Sequence, residues 1–194
     1  MNGGVSYFGG KRWEDITREE RFFCSVLYGY IKKNPIQFVE WLNKNKELNL
    51  NLNQEWDVGY EVCFYRDYLK WKEQEQKTAF SNFKKEYSRK RTFDLCMFSE
   101  DCILIIEAKS QQGFGKNDIG EFDSEERKKI GNVIGKPDIE ILLLGISSTK
   151  WQENSRKYGK FNVTDNFDAL LSWREMAELY KDPLLDRADY IYKN

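Results

Sequence analysis

The stretch from Thr92 to Gln112, TFDLCMFSEDCILIIEAKSQQ, constrains the chain most. Phe93, Leu95, Met97 and Phe98, then Ile103 to Ile106, form two nearly continuous apolar runs, the pattern of strands buried on both faces. The polar break at Ser99-Glu100-Asp101 reads as the turn of a β-hairpin. Into these strands the chain sets Asp94, Glu107 and Lys109. A buried charge is costly unless it is paired or binds a metal. Side chains alternate faces along a strand, so Glu107 and Lys109 share a face and Ala108 points away. A two-residue turn at Glu100-Asp101 places Ser99 opposite Cys102 and Asp94 opposite Glu107. Opposed residues have Cβ atoms about 4.5–5.5 Å apart, a separation at which two buried carboxylates repel. A divalent cation between them relieves that repulsion, and Mg²⁺ favours such oxygen donors while keeping several waters. Lys109 would then orient a water or steady a phosphate. A three-residue turn would instead set Asp94 opposite Ile106.

Composition narrows the chemistry. The 194 residues suffice for one domain with a substantial core. The net charge is −1, so contact with nucleic acid must come from a local patch. There is no histidine, which excludes a histidine general base, a Ser-His-Asp triad and the common zinc sites. Cys24, Cys63, Cys96 and Cys102 contain no CxxC pair, and they read as free thiols in a reducing compartment. Neither a signal sequence nor an apolar run of about 18 residues stands in the chain, which points to a soluble, cytoplasmic protein without membrane contact.

Residues 1–16 read as an N-terminal arm and residues 17–194 as a single domain. Thr17 is the expected N-cap of a first helix, with Glu20 closing a capping box. Phe22, Phe23, Val26, Leu27, Tyr30 and Ile31 follow at helical spacing, and Asn34-Pro35 ends the helix. A second helix runs from Ile36 to Asn43 or beyond. Val58–Tyr65 is the expected first strand, followed by an amphipathic connection over 67–83. After the hairpin come a helix over 119–134 and a buried strand over 139–146. A surface loop over 150–163 leads to an amphipathic helix over 167–180 and a tail that packs as a short helix. This order implies an α/β fold, a three-layer α/β/α sandwich. Its small mixed sheet would have the hairpin at its centre and one strand on either side.

A strand bearing Asp94, a turn and a strand bearing Glu107-Ala108-Lys109 resemble the core of the PD-(D/E)xK nuclease superfamily, the restriction-endonuclease-like fold. Phe93 stands where the family motif has Pro. The leading helix, first strand, following helix and fourth strand resemble the family as well, over about residues 17–180. The segment SWREMAELY resembles the closing helix of some defence-associated members. A Gln that several relatives carry after the Glu-x-Lys strand is replaced, at the matching place, by Asp118. The resemblance implies a metal-dependent nuclease that hydrolyses phosphodiester bonds, of DNA ahead of RNA, in restriction, phage defence or repair. It implies that Asp94, Glu107 and the Ala108 carbonyl hold Mg²⁺, for which Mn²⁺ can substitute, and that Lys109 assists the attacking water. A glutamate of the leading helix often joins such a site. The candidates are Glu19, nearer the middle of the apolar face, and Glu20 at its edge. Against this, acids in a first helical turn are commonly solvated and favour the dipole.

Lys84, Lys85, Arg89, Lys90 and Arg91 precede the hairpin, and Gln111, Gln112 and Lys116 follow it. All eight are candidate nucleic-acid contacts, with a solvated face as the competing reading of the basic run. A partner protein or a homodimer fits the high aromatic content of 15%. The alternative function is a catalytically inactive nuclease fold that serves as a protein- or nucleic-acid-binding subunit.

Overall fold

The computed structural model describes residues 6–76, 90–115, 124–158 and 167–192. Strands β1 (Asp57–Val62), β2 (Phe93–Phe98), β3 (Cys102–Ala108), β4 (Glu140–Ser147) and β5 (Ala169–Ser172) form one sheet in that spatial order. The β1–β2 and β2–β3 pairs are antiparallel, and β4 and β5 add in parallel. The parallel steps need crossovers. Helices α5 (Ser124–Ile134) and α6 (Thr149–Tyr158) lie in them.

Strand alternation divides the core. Leu95, Met97, Leu104, Ile106, Ala108, Leu144 and Ile146 pack with Phe23, Cys24, Leu27 and Ile31 of α2 (Glu20–Lys33) and Phe38, Val39 and Leu42 of α3 (Pro35–Lys46). Helices α7 (Trp173–Tyr180) and α8 (Pro183–Tyr190) complete that cluster through Trp173, Met176, Leu185 and Ala188. A second cluster joins Cys96, Ile103, Ile105, Ile141 and Leu143 to Phe64 and Tyr65 of α4 (Phe64–Gln76), Ile130 and Val133 of α5, and Trp151 of α6. The result is a mixed α/β fold with helices against both faces of a five-stranded sheet. Among the described residues no helix is long and apolar enough to cross a membrane.

The hairpin turn has two residues. Ser99 N donates to Cys102 O at 2.9 Å, and Ser99 Oγ accepts from Cys102 N at 3.0 Å. The register runs from Phe98 opposite Ile103 to Leu95 opposite Ile106, and continued by one step it would set Asp94 opposite Glu107.

Several elements differ from expectation. Strand β1 stops at Val62, and Phe64 and Tyr65 open α4, where the Phe64 and Tyr68 rings stack at 5.2 Å. Residues 149–158 are helical where a surface loop was expected, with Ser148 Oγ accepting from Trp151 N and the Trp151 indole buried. The segment expected as one helix over 167–180 is a strand followed by a helix. Residues 169–172 extend the sheet beside β4, and Ser172 with Glu175 forms a capping box that starts α7. Backbone pairing on an open sheet edge outweighs helical propensity there. The fifth strand is therefore additional to the four expected.

The expected capping box at Thr17 and Glu20 does not form. A short helix α1 (Trp13–Ile16) precedes it, Thr17 is extended, and α2 begins at Glu20 with Glu19 as an N-cap whose side chain makes no cap bond. Arg187 of α8 donates to the carbonyls of Glu14 and Thr17, which ties this end of the chain to α8.

Candidate active site at one end of the sheet

The start of β2, the end of β3 and the first turn of α2 bring charged groups together. Asp94 Oδ2 accepts from Ala108 N at 2.8 Å, so the carboxylate reaches across to the β3 backbone. Arg91 Nη2 lies 3.4 Å from Glu107 Oε1, with both side chains 17% exposed. Lys109 Nζ lies 3.6 Å from Glu20 Oε1. The other Glu20 oxygen accepts from Ser110 N at 3.0 Å.

Of the two glutamates expected from the leading helix, Glu20 reaches the site. Glu19 is exposed. The helix starts two residues later than a Thr17 N-cap implies, so Glu19, expected nearer the middle of the apolar face, is the N-cap and Glu20 the first helical residue. The solvated first turn expected for both acids thus describes Glu19 and not Glu20. Lys90 is exposed, as are Gln111 and Gln112, and Gln111 Oε1 accepts from Arg18 Nε at 3.3 Å. Lys84, Lys85, Arg89, Lys116 and Asp118 lie outside the described residues.

Burial and mutual repulsion set the protonation of these acids. Glu107 is pushed up from 4.5 to about 8, first by burial and then by the charge of Asp94, with Arg91 and Lys109 opposing. Asp94 is raised by burial, against the lowering effect of its bond from Ala108 N and of Lys109, Arg21 and Arg91. Glu20 is also raised by burial; Lys109 lowers it and Asp94 raises it. Two adjacent carboxylates held above their ordinary range are under electrostatic load that a cation relieves.

This donor chemistry fits a hard divalent cation, which takes carboxylate and carbonyl oxygens and completes its shell with water. The protein supplies two carboxylates, of Asp94 and Glu107, and the Ala108 carbonyl as the candidate third donor. Among the described residues no group of three or more His, Cys, Asp and Glu side chains is disposed to hold a metal. Glu20 is turned to Lys109 and Ser110 instead.

Three further features lie beside the site. Trp173 is fully buried, and its Nε1 donates to Lys109 O at 2.9 Å. It thereby fixes the backbone that carries Lys109. Trp173→Phe is expected to cost about 1–3 kcal/mol in urea unfolding, from the lost hydrogen bond and the volume left behind.

Ser110 is fully buried, and its Oγ has no hydrogen-bond partner among the described residues.

Glu61 takes a left-handed backbone, φ 51°, inside β1. By the β1–β2 register it stands opposite Asp94, and it pairs with Arg21 at 3.4 Å. The left-handed region costs a non-glycine residue about 1–2 kcal/mol, while glycine loses about 0.5–1 kcal/mol of chain entropy. Glu61→Gly is therefore expected to raise the unfolding free energy by about 0.5–1 kcal/mol, read from urea melts. Loss of the exposed Arg21 pair subtracts little. No sequence pattern marks Glu61 or Trp173 as neighbours of the hairpin, because both meet it through tertiary packing. In comparisons with known protein families, curated proteins and solved structures, the chain finds no match.

Proposed function

We propose that this protein is a metal-dependent nuclease of the PD-(D/E)xK type that hydrolyses phosphodiester bonds in nucleic acid. The observation that carries the reading is the meeting of Asp94, Glu107, Lys109 and Glu20 at one end of the sheet. The element order supports it too. With α3 inserted after the leading helix and α4 inserted between β1 and β2, the order of leading helix, three antiparallel strands, helix and parallel strand is similar to that of the restriction-endonuclease-like core.

Asp94 and Glu107, with the Ala108 carbonyl, would hold Mg²⁺ or Mn²⁺. When bound, such an ion supplies an activated water and stabilises the leaving oxygen. Ala108 N keeps Asp94 aimed at the end of β3. Trp173 anchors the Lys109 backbone. Lys109, which pairs with Glu20 at 3.6 Å, would orient the attacking water and steady charge on the phosphate. Glu20, 3.6 Å from Lys109, would accept the proton that the attacking water gives up. Burial keeps bulk water from competing for these groups.

A second reading, an inactive nuclease fold that binds protein or nucleic acid, is favoured by one observation. Arg91 and Lys109 already partner Glu107 and Glu20. A cleavage panel separates the two readings, with single- and double-stranded DNA and RNA, Mg²⁺ or Mn²⁺, and wild type beside Lys109→Ala. Cation-dependent cutting that the variant loses supports the nuclease. If wild type cuts no form with either ion, the inactive fold stands.

A further inference from the structure

We infer that Arg91 is the resident counter-ion of Glu107, giving up that place to a divalent cation and then engaging the phosphate of the bound nucleic acid. This rests on the nuclease reading and deepens it. Arg91 was a candidate phosphate contact on sequence grounds alone, but its position gives it a second partner with which that role must alternate.

Arg91 stands two residues before β2, at the same end of the sheet as Asp94. Its Nη2 is 3.4 Å from Glu107 Oε1, and the pair is mostly shielded from water. Its guanidinium also lies 5.2 Å from the centre of the buried Phe93 ring. That stack is a perch independent of Glu107, because a guanidinium over an aromatic face is stabilised without a carboxylate.

A divalent cation bound by Glu107 competes with Arg91 for the same carboxylate and repels it. Displacement would leave the guanidinium beside the site, near the Phe93 ring, with Nη2 released from Glu107. Its planar donors match the oxygens of a phosphodiester, which a guanidinium binds through paired hydrogen bonds. Metal and nucleic acid would then bind cooperatively, since phosphate takes up the cation that the metal releases. Lys109 and Glu20 offer no equivalent exchange, because both belong to the proposed reaction itself.

The test measures Mn²⁺ binding by calorimetry without nucleic acid, and binding of a short fluorescent DNA duplex in Ca²⁺ by anisotropy. Wild type is compared with Arg91→Met, which keeps an apolar stem over Phe93, and with Arg91→Lys. For Arg91→Met, Mn²⁺ affinity should rise about tenfold and duplex affinity should fall about tenfold. Arg91→Lys should recover part of the duplex binding. Opposite signs distinguish exchange from a structural role, which would weaken both. Unchanged or weaker Mn²⁺ binding by a folded Arg91→Met overturns the inference while leaving the nuclease reading intact. If neither wild type nor variant binds Mn²⁺, the nuclease reading fails and the inference with it.

Discussion

Asp94→Asn is expected to lower cation-dependent cleavage by about a thousandfold or more while leaving the fold in place. The asparagine carbonyl can still accept from Ala108 N, the bond that Asp94 Oδ2 makes at 2.8 Å. What it lacks is the negative charge that would hold the cation beside Glu107. Removing a metal-supporting carboxylate takes away both the activated water and the stabilised leaving group, so the loss is large. Single-turnover cleavage of a labelled duplex gives the rate, and a thermal melt gives the fold. A variant that cuts at the wild-type rate would remove Asp94 from the mechanism.

Glu107→Gln is expected to abolish cleavage and to make the metal-free protein more stable above neutral pH. The sign follows from the raised pKa. Glu107 titrates near 8 in the folded protein, against an ordinary value of 4.5. Below about pH 4.5 the group is protonated in both states and contributes no pH-dependent difference. As pH rises from 4.5 to 8, the unfolded chain loses the proton more readily than the folded one, so folding stability falls. At 1.36 kcal/mol per unit, the fall reaches about 3 kcal/mol by pH 7. Above pH 8 it levels off. Gln cannot ionise and avoids that cost. It also gives up the Arg91 ion pair, so the expected net gain is about 1–3 kcal/mol at pH 8. Urea unfolding at pH 5 and pH 8 reads both the gain and the flattened pH dependence. A variant less stable than wild type at pH 8 would mean that Arg91 compensates Glu107 fully. Asp94 is raised by the same burial, so its titration steepens the wild-type curve without changing its sign.

Both predictions come from a hairpin whose register was legible in the sequence. Ser99 is a turn residue whose hydroxyl can meet the backbone across the turn. Ser99 accepts from Cys102 N, which fixes the two-residue turn and the register as far as Leu95 opposite Ile106. The four strands implied by apolar runs were legible for the same reason. The fifth was not, because Ala169 to Ser172 carries helix formers and becomes a strand only beside β4. The Thr149–Tyr158 helix was hidden by its polar composition, since among the described residues Trp151 is its one large apolar anchor. Glu20 was legible as a candidate, but its advantage over Glu19 depended on where α2 starts, and α1 moved that start. Arg91 was legible only as one cation in a basic run. Its pairing with Glu107 is a property of the folded sheet end.

The most direct measurement of the central claim is calorimetric Mn²⁺ titration of the protein at pH 8, on wild type and Asp94→Asn. The account predicts saturable binding by wild type with protons released, since Glu107 is partly protonated there. It predicts loss of that binding in Asp94→Asn. Equal binding by the two proteins, or none by wild type, would contradict it.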